Sequence, residues 1–164
     1  MTKRVAIAAR VSTDDHAAED RSSLELQLEA CRSYAQGRGF EVVAEVIEDG
    51  VSGAKELADR PGVVRVLELA VEGAIEGVIW YKVDRLSRSA RVALDLLHQL
   101  ESAGIAVYST REDIDGKTAS GQMFRTVLLG VAEFERATIA ERLDRGKLGK
   151  ARKGEWPAGR PPTG

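Results

Sequence analysis

The sequence predicts an α/β fold, in which a mainly parallel central sheet is flanked by helices and followed by a long C-terminal helix. Short apolar runs alternate with segments of helical periodicity, a pattern typical of parallel sheets with crossover helices. The run Gly77–Tyr81 offers apolar residues to both faces, which indicates a central strand. From Ala119 onward, apolar residues keep helical spacing with no proline before Pro157.

The first half of the chain predicts two strands with a helix between them. The first strand is Val5–Ala9, and the polar stretch Thr13–Arg21 is predicted to be a loop. Ser22 and Glu25 have the spacing of a capping box, so we expect the first helix to begin there and to end near the following glycines. The second strand runs from residue 41 to residue 47.

The middle of the chain predicts two further helices and two further strands. Pro61 suits the first turn of a helix, and we expect that helix to bury Val63, Val64, Leu67 and Val71. Another helix is predicted over about Ala90–Ala103, between strands at 77–81 and 105–108.

The last predicted helix is long for so small a protein. About 30 residues at 1.5 Å each would span ~45 Å, more than a domain of this size covers with its own core, so part of its apolar stripe is expected to contact a partner subunit. Two helices broken near Gly146 or Gly149 are the alternative. We expect one domain over residues 1–153, with the long helix over about 120–153, and a linker over 154–164.

Composition limits the class of protein. No apolar run approaches the ~20 residues that cross a bilayer, and the single Cys31 fits a reducing compartment, so we expect a cytoplasmic protein without a membrane partner. The net charge of −2 is unusual for a nucleic-acid binder. Residues 121–164, however, carry 9 Lys/Arg against 5 Asp/Glu, a balance of +4, and are best suited to lie along phosphates. The basic residues best placed to contact phosphates are Arg145, Lys147, Lys150, Arg152 and Lys153.

Two groups of residues follow strands whose carboxyl ends should meet at one edge of the sheet. Arg10 and Ser12 follow the first strand, and the segment Asp84–Arg88 follows the third. Open α/β sheets bind their ligands at this edge. If the second segment is helical, Arg85 and Arg88 point the same way. A serine near three arginines suits phosphoryl transfer, because guanidinium groups match the oxygens on which charge develops.

Other chemistries have less support from the sequence. The acidic pairs Asp14–Asp15, Glu48–Asp49 and Asp113/Asp115 could hold magnesium in a metal-dependent nuclease, although such pairs are also common in soluble turns. A non-catalytic, DNA-associated module that dimerises through the last helix is a third hypothesis. His16 and His98 lack ligand partners at metal spacing.

Five motifs in order resemble the catalytic domain of the serine recombinases, the resolvase/invertase family. They are Arg10–Thr13, Ser23–Gln27, Asp49–Gly53, Asp84–Arg88 and Phe134–Arg136 continuing to Glu141–Arg142. The likeness covers about residues 4–153. The helix with Cys31 and Tyr34, and the closing Gly159–Gly164, are more similar to large serine integrases than to small resolvases.

The resemblance implies site-specific DNA recombination, with Ser12 as the nucleophile that forms a 5′-phosphoserine bond. It implies that Arg10, Arg85 and Arg88 bind the scissile phosphate and that Arg142 supports them. Gln27 and Asp84 would organise the site, with Glu141 as a less certain neighbour. No metal or cofactor is implied. The implied partners are double-stranded DNA attachment sites and further copies of the chain, a homodimer that assembles to a tetramer on DNA. The resemblance also implies that the linker over 154–164 leads toward a DNA-binding region outside this chain. The DNA contacts expected within the chain are Arg145, Lys147, Lys150, Arg152 and Lys153.

One position departs from the family pattern. The family usually has tyrosine two residues before the arginine of the first motif, whereas this chain has Ala8. The phenol would contribute a hydrogen bond near the phosphate or packing behind it, so reduced activity is the expected consequence.

Overall fold

The computed structural model describes residues 2–11, 17–48, 55–87, 89–154 and 156, with the side chains of residues 17–22 and of Asp84 outside that description. Within these ranges the sheet has four strands: β1 (Arg4–Arg10), β2 (Glu41–Glu48), β3 (Gly77–Trp80) and β4 (Ala106–Ser109). All pair in parallel, in the order β2-β1-β3-β4. The predicted α/β class is therefore confirmed, with the apolar β3 at an interior position.

Five described helices connect and follow the strands. They are α1 (Ala17–Gly37), α2 (Pro61–Val71), α3 (Val83–Leu86), α4 (Ala90–Ser102) and α5 (Ala119–Arg152), and a 3-10 turn at Leu57–Asp59 precedes α2. No helix among the described residues is both long and apolar enough to cross a membrane.

Each face of the sheet has its own apolar core, because successive side chains of a strand point to opposite faces. On one face, Ala6, Ala8, Val78 and Trp80 pack with buried residues of α2 and α4. On the other face, Val5, Ile7, Ala9 and Ile79 pack with Leu28, Cys31 and Ala35 of α1. The two interior strands are thus covered on both sides, which fixes the positions of their carboxyl ends.

The predicted start of the first helix is wrong. The first helix begins at Ala17, inside the stretch 13–21 that was predicted to be a loop, and the backbone of Ser22 lies within it. Ala17, Ala18 and Glu19 have high helix propensity, which outweighs the neighbouring Asp20.

The predicted buried face of α2 is also wrong in part. That face holds Val63, Val66 and Ala70, whereas Val64 is exposed and Val71 is 86% exposed. Val63, Val66 and Ala70 follow the i, i+3, i+7 spacing of one helical face, and that face turns toward the sheet. Leu67 is partly buried beside it.

The long helix α5 is continuous over 34 residues and passes through Gly146 and Gly149, so the alternative of two broken helices is wrong. The chain divides into two compact units, Met1–Leu129 and Gly130–Gly164. In the first unit, Phe124 and Leu128 pack against the core on the α2 and α4 side. The predicted linker over 154–164 lies almost entirely outside the described residues.

Candidate functional site

Arg10 and Arg85 meet at the carboxyl edge of the sheet. Arg10 is the last residue of β1 and its side chain is only 1% exposed. Its Nε donates a hydrogen bond to the Arg85 carbonyl oxygen at 3.3 Å. The structure therefore brings together two of the arginines that the sequence placed at one sheet edge.

Gln27 lies beside Arg10 on α1. Its side chain is buried, and its Nε2 donates to the Arg10 carbonyl oxygen and to Ser23 Oγ, both at 3.4 Å. The Gln27 Oε1 is buried and has no hydrogen-bond partner among the described residues. A buried acceptor without a partner is costly, so a donor that enters this edge would be stabilised there.

Arg85 is half-buried in the single turn α3, and its Nε has no hydrogen-bond partner among the described residues. The helix ends at Leu86, and Ser87 is extended, with φ −159° and ψ 152°. The helix that would place Arg85 and Arg88 on one face therefore ends at Leu86, so helical spacing does not relate the two arginines. Ser12, Arg88 and the side chain of Asp84 lie outside the described residues.

A buried ion pair next to Arg10 was not predicted from the sequence. Arg60 donates through Nε to Glu48 Oε2 at 3.1 Å, and both side chains are at most 4% exposed. A second guanidinium nitrogen of Arg60 donates to the Leu86 carbonyl oxygen at 2.5 Å. Two buried arginines, Arg10 and Arg60, thus donate hydrogen bonds to consecutive carbonyl groups of the α3 turn, those of Arg85 and Leu86.

Glu48 also caps α2. Its Oε1 accepts hydrogen bonds from the backbone N–H groups of Gly62 at 3.1 Å and Val63 at 3.4 Å, where unpaired amides favour a carboxylate. A Cβ on Gly62 would lie 2.2 Å from Glu48 Cγ, so this contact requires glycine. Because both carboxylate oxygens of Glu48 are engaged, Glu48 is a structural group rather than the free metal ligand of the nuclease hypothesis.

The acidic residues after β4 form turn contacts. Asp113 accepts hydrogen bonds from the hydroxyl groups of Ser120 and Thr118, and these bonds lower the pKa of its carboxyl group. Asp115 Oδ1 accepts from the Lys117 backbone N–H at 2.9 Å. In the described part of the chain, no group of three or more His, Cys, Asp or Glu residues could hold a metal ion. Asp14, Asp15 and Asp49 lie outside the described residues.

The second unit carries the basic residues expected to contact DNA. Arg142 and the set Arg145, Lys147, Lys150, Arg152 and Lys153 are all exposed. Arg145 pairs with Glu141 at 3.0 Å and Lys147 with Asp144 at 3.4 Å, both along the helix. Exposed pairs of this kind contribute little to stability, so these cations could exchange their partners for phosphates.

A comparison with known protein families identifies the family of this chain. The family described as "Resolvase, N terminal domain" matches residues 5–156. This chain belongs to that family. The resemblance found in the motifs and the fold predicted from the hydrophobic pattern are both confirmed.

Individual relatives agree with this assignment. The transposon Tn917 resolvase of Enterococcus faecalis is 34% identical over 156 residues, which cover 95% of this chain and 75% of that protein. A Bacillus subtilis protein named "Putative DNA recombinase" is 36% identical over 150 residues, which cover 92% of this chain but only 29% of that protein, so this relative extends far beyond the shared region.

Solved structures show the same fold. The N-terminal catalytic domain of TP901-1 integrase is 36% identical, with a TM-score of 0.66 over 83% of this chain and 98% of that chain. A resolvase family site-specific recombinase from Streptococcus pneumoniae is 27% identical, with a TM-score of 0.76 over 92% of this chain and 99% of that chain.

Proposed function

We propose that this chain is the catalytic domain of a serine recombinase that cuts and rejoins DNA at specific sites through a covalent 5′-phosphoserine intermediate. The observation that carries the proposal is the hydrogen bond from Arg10 Nε to the Arg85 carbonyl oxygen, which brings the turn that carries Arg85 to the end of β1, two residues before Ser12 in the sequence. Guanidinium groups at a sheet edge suit a phosphodiester, because they remain charged and can form paired hydrogen bonds to its oxygens.

In the proposed reaction, Ser12 Oγ attacks the phosphorus atom and loses its proton as the bond between phosphorus and the 3′ oxygen of the preceding nucleotide breaks. The 5′ phosphate stays on Ser12, and the leaving oxygen takes up a proton to become a free 3′ hydroxyl. In the rejoining step, a 3′ hydroxyl loses its proton and its oxygen forms a new bond to phosphorus. The bond from phosphorus to Ser12 Oγ breaks, and the serine hydroxyl regains a proton. Arg10, Arg85 and Arg88 stabilise the charge on the nonbridging oxygens, with Arg142 supporting them. Gln27 and Asp84 organise the groups around the phosphate.

DNA contacts and assembly extend the proposal to α5. Its exposed cations, Arg145, Lys147, Lys150, Arg152 and Lys153, would neutralise phosphates of the attachment site. Its exposed apolar residues would pack subunits into a dimer, and dimers into a tetramer on DNA. We infer a cytoplasmic protein of the large serine integrase type, whose linker over 154–164 leads to a separate DNA-reading region.

The decisive experiment tests for a covalent adduct. The complete protein that contains this chain is incubated with sheared genomic DNA of the organism that carries its gene, in EDTA, and stopped with SDS. We expect a protein–DNA adduct joined to 5′ ends, which also identifies the cleaved sequence. Ser12→Ala should abolish the adduct, whereas Ser102→Ala, at an exposed position of α4, should retain it. Cleavage that requires magnesium and survives Ser12→Ala would support the nuclease hypothesis instead.

A further inference from the structure

The α3 turn cannot fix its own conformation. It has only four residues, and a single helical turn is unfavourable by itself because it orders several residues for one hydrogen bond. Yet it carries Asp84 and Arg85, which the proposed function places at the scissile phosphate. Contacts from elsewhere in the first unit must therefore set where Arg85 lies.

The C-terminal end of the turn is held by the two buried arginines already described, Arg10 and Arg60. The N-terminal end is held differently. The residue before the turn, Lys82, makes no capping hydrogen bond with its side chain. Instead, the backbone N–H of Val83 donates to Glu112 Oε2 at 3.2 Å, across 29 residues of sequence. A distant carboxylate thus supplies the missing cap.

Glu112 is itself fixed by the end of β4. The Ser109 hydroxyl donates to Glu112 Oε2 at 2.5 Å, and Ser109 is buried. The same hydroxyl oxygen accepts from the backbone N–H groups of Arg111 and Glu112, both at 3.3 Å. Charge-assisted bonds to a carboxylate are stronger than neutral ones, so Ser109 holds the Glu112 side chain in place.

The ends of β3 and β4 are joined to each other as well. Thr110 N–H donates to the Trp80 carbonyl oxygen at 3.0 Å, and Thr110 Oγ1 donates to the Tyr81 carbonyl oxygen at 2.6 Å. The loop that carries Glu112 is therefore fixed to the strand from which α3 emerges. Glu112 and Val83 consequently have a defined separation rather than a chance contact.

We propose that Glu112 is a positioning residue for strand cleavage: it clamps the N-terminus of the α3 turn, with Ser109 holding its carboxylate, and so sets the position of Arg85. The proposal rests on the proposed function, in which Arg85 contacts the phosphate. Glu112 acts only through the turn and does not touch DNA.

The test uses single-turnover cleavage at saturating DNA, with the fragment recovered as the covalent adduct. Glu112→Ala should lower the cleavage rate about 10- to 100-fold, the scale expected when a reacting group shifts by about 1 Å. Glu112→Gln keeps an acceptor oxygen and should lose less. The dissociation constant for DNA should stay within about twofold of wild type. Glu45→Ala removes a carboxylate that pairs with Arg32 outside the site, so it should cleave at the normal rate.

A double-mutant cycle separates positioning from general damage. If Glu112 acts through Arg85, adding Glu112→Ala to Arg85→Ala should cause little further loss. Independent, multiplicative losses would overturn the proposal, and so would an Arg85→Ala variant that cleaves normally. If Glu112→Ala does not fold, Glu112→Gln and Ser109→Ala replace it in the same double-mutant cycle with Arg85→Ala.

Hydrogen exchange tests the clamp without DNA. The Val83 amide should exchange faster in Glu112→Ala than in wild type, while the amide of Leu96 in α4 keeps its protection. If the exchange rate of the Val83 amide does not change, the proposal that Glu112 holds the turn is wrong, whereas the proposed function is unaffected. Absence of any covalent adduct with wild-type protein overturns the proposed function, and with it the role of Glu112 in cleavage, whatever the exchange result.

Discussion

The two compact units of the chain use their side chains in opposite ways. The first unit, Met1–Leu129, buries charged groups, including Arg10 and the Glu48–Arg60 pair, beside the apolar cores on the two faces of its sheet. The second unit, Gly130–Gly164, exposes large apolar side chains such as Phe134, at 71%, and Leu143, at 60%. Ala132 is the one buried apolar residue in the described part of this unit, so its apolar side chains form a surface for association rather than a core.

This difference indicates that the two units have different roles. Buried charges in the first unit hold backbone groups at the carboxyl edge of the sheet, where Arg10 and Arg85 meet. Apolar and basic side chains in the second unit remain available to other molecules. We therefore expect substitutions in the first unit to change stability and chemistry, and substitutions in the second unit to change assembly and DNA binding.

The largest loss of stability is expected from breaking the buried ion pair. Glu48→Ala leaves the Arg60 guanidinium buried without its carboxylate and removes the cap of α2, so the free energy of unfolding should fall by about 3–5 kcal/mol. Urea denaturation measures it. The double variant Glu48→Ala/Arg60→Met should recover part of the loss, because it removes the unpaired charge. A loss no larger than that of Glu45→Ala would contradict the structural role of the pair.

The next prediction compares matched leucines in the two units. Leu96 is fully buried, so Leu96→Ala should lower the free energy of unfolding by about 2–5 kcal/mol. Leu143→Ala should change it by less than about 0.5 kcal/mol at dilutions where the protein is monomeric. Light scattering at higher concentration should instead show weaker self-association for Leu143→Ala. Equal destabilisation by both substitutions would remove the distinction between the units.

The sequence could predict the parts of this structure that depend on periodicity. The parallel sheet, the central apolar strand and the continuous α5 all follow from runs of residues close together in the chain. The convergence of Arg10 and Arg85 followed from one topological rule about strand ends. The direction of the α2 face did not follow, because Val64 and Val71 are as apolar as the residues that are buried.

The contacts that hold the α3 turn could not be predicted, because they join residues that are far apart in the sequence. Glu48 and Arg60 are separated by 12 residues, and Val83 and Glu112 by 29, so each contact exists only once the strands are assembled. Glu48 even suggested a metal ligand when read beside Asp49. The one local signal was an arginine before a Pro-Gly helix start, at Arg60–Gly62, with a glutamate at the end of the preceding strand.

The last prediction concerns Cys31, whose burial makes the stability of the first unit depend on pH. Burial, and secondarily the charge of Glu45, raise the pKa of its thiol from 9.0 to about 12. The unfolded chain therefore loses this proton first as the pH rises. The thiol's contribution to stability is fully present below pH 9 and is lost toward pH 12. Urea midpoints should thus fall more steeply between pH 8 and about 10.5 for wild type than for Cys31→Ala, in which all other titrations are shared. Parallel curves, or rapid reaction of native Cys31 with a thiol reagent at pH 8, would show that this core opens readily.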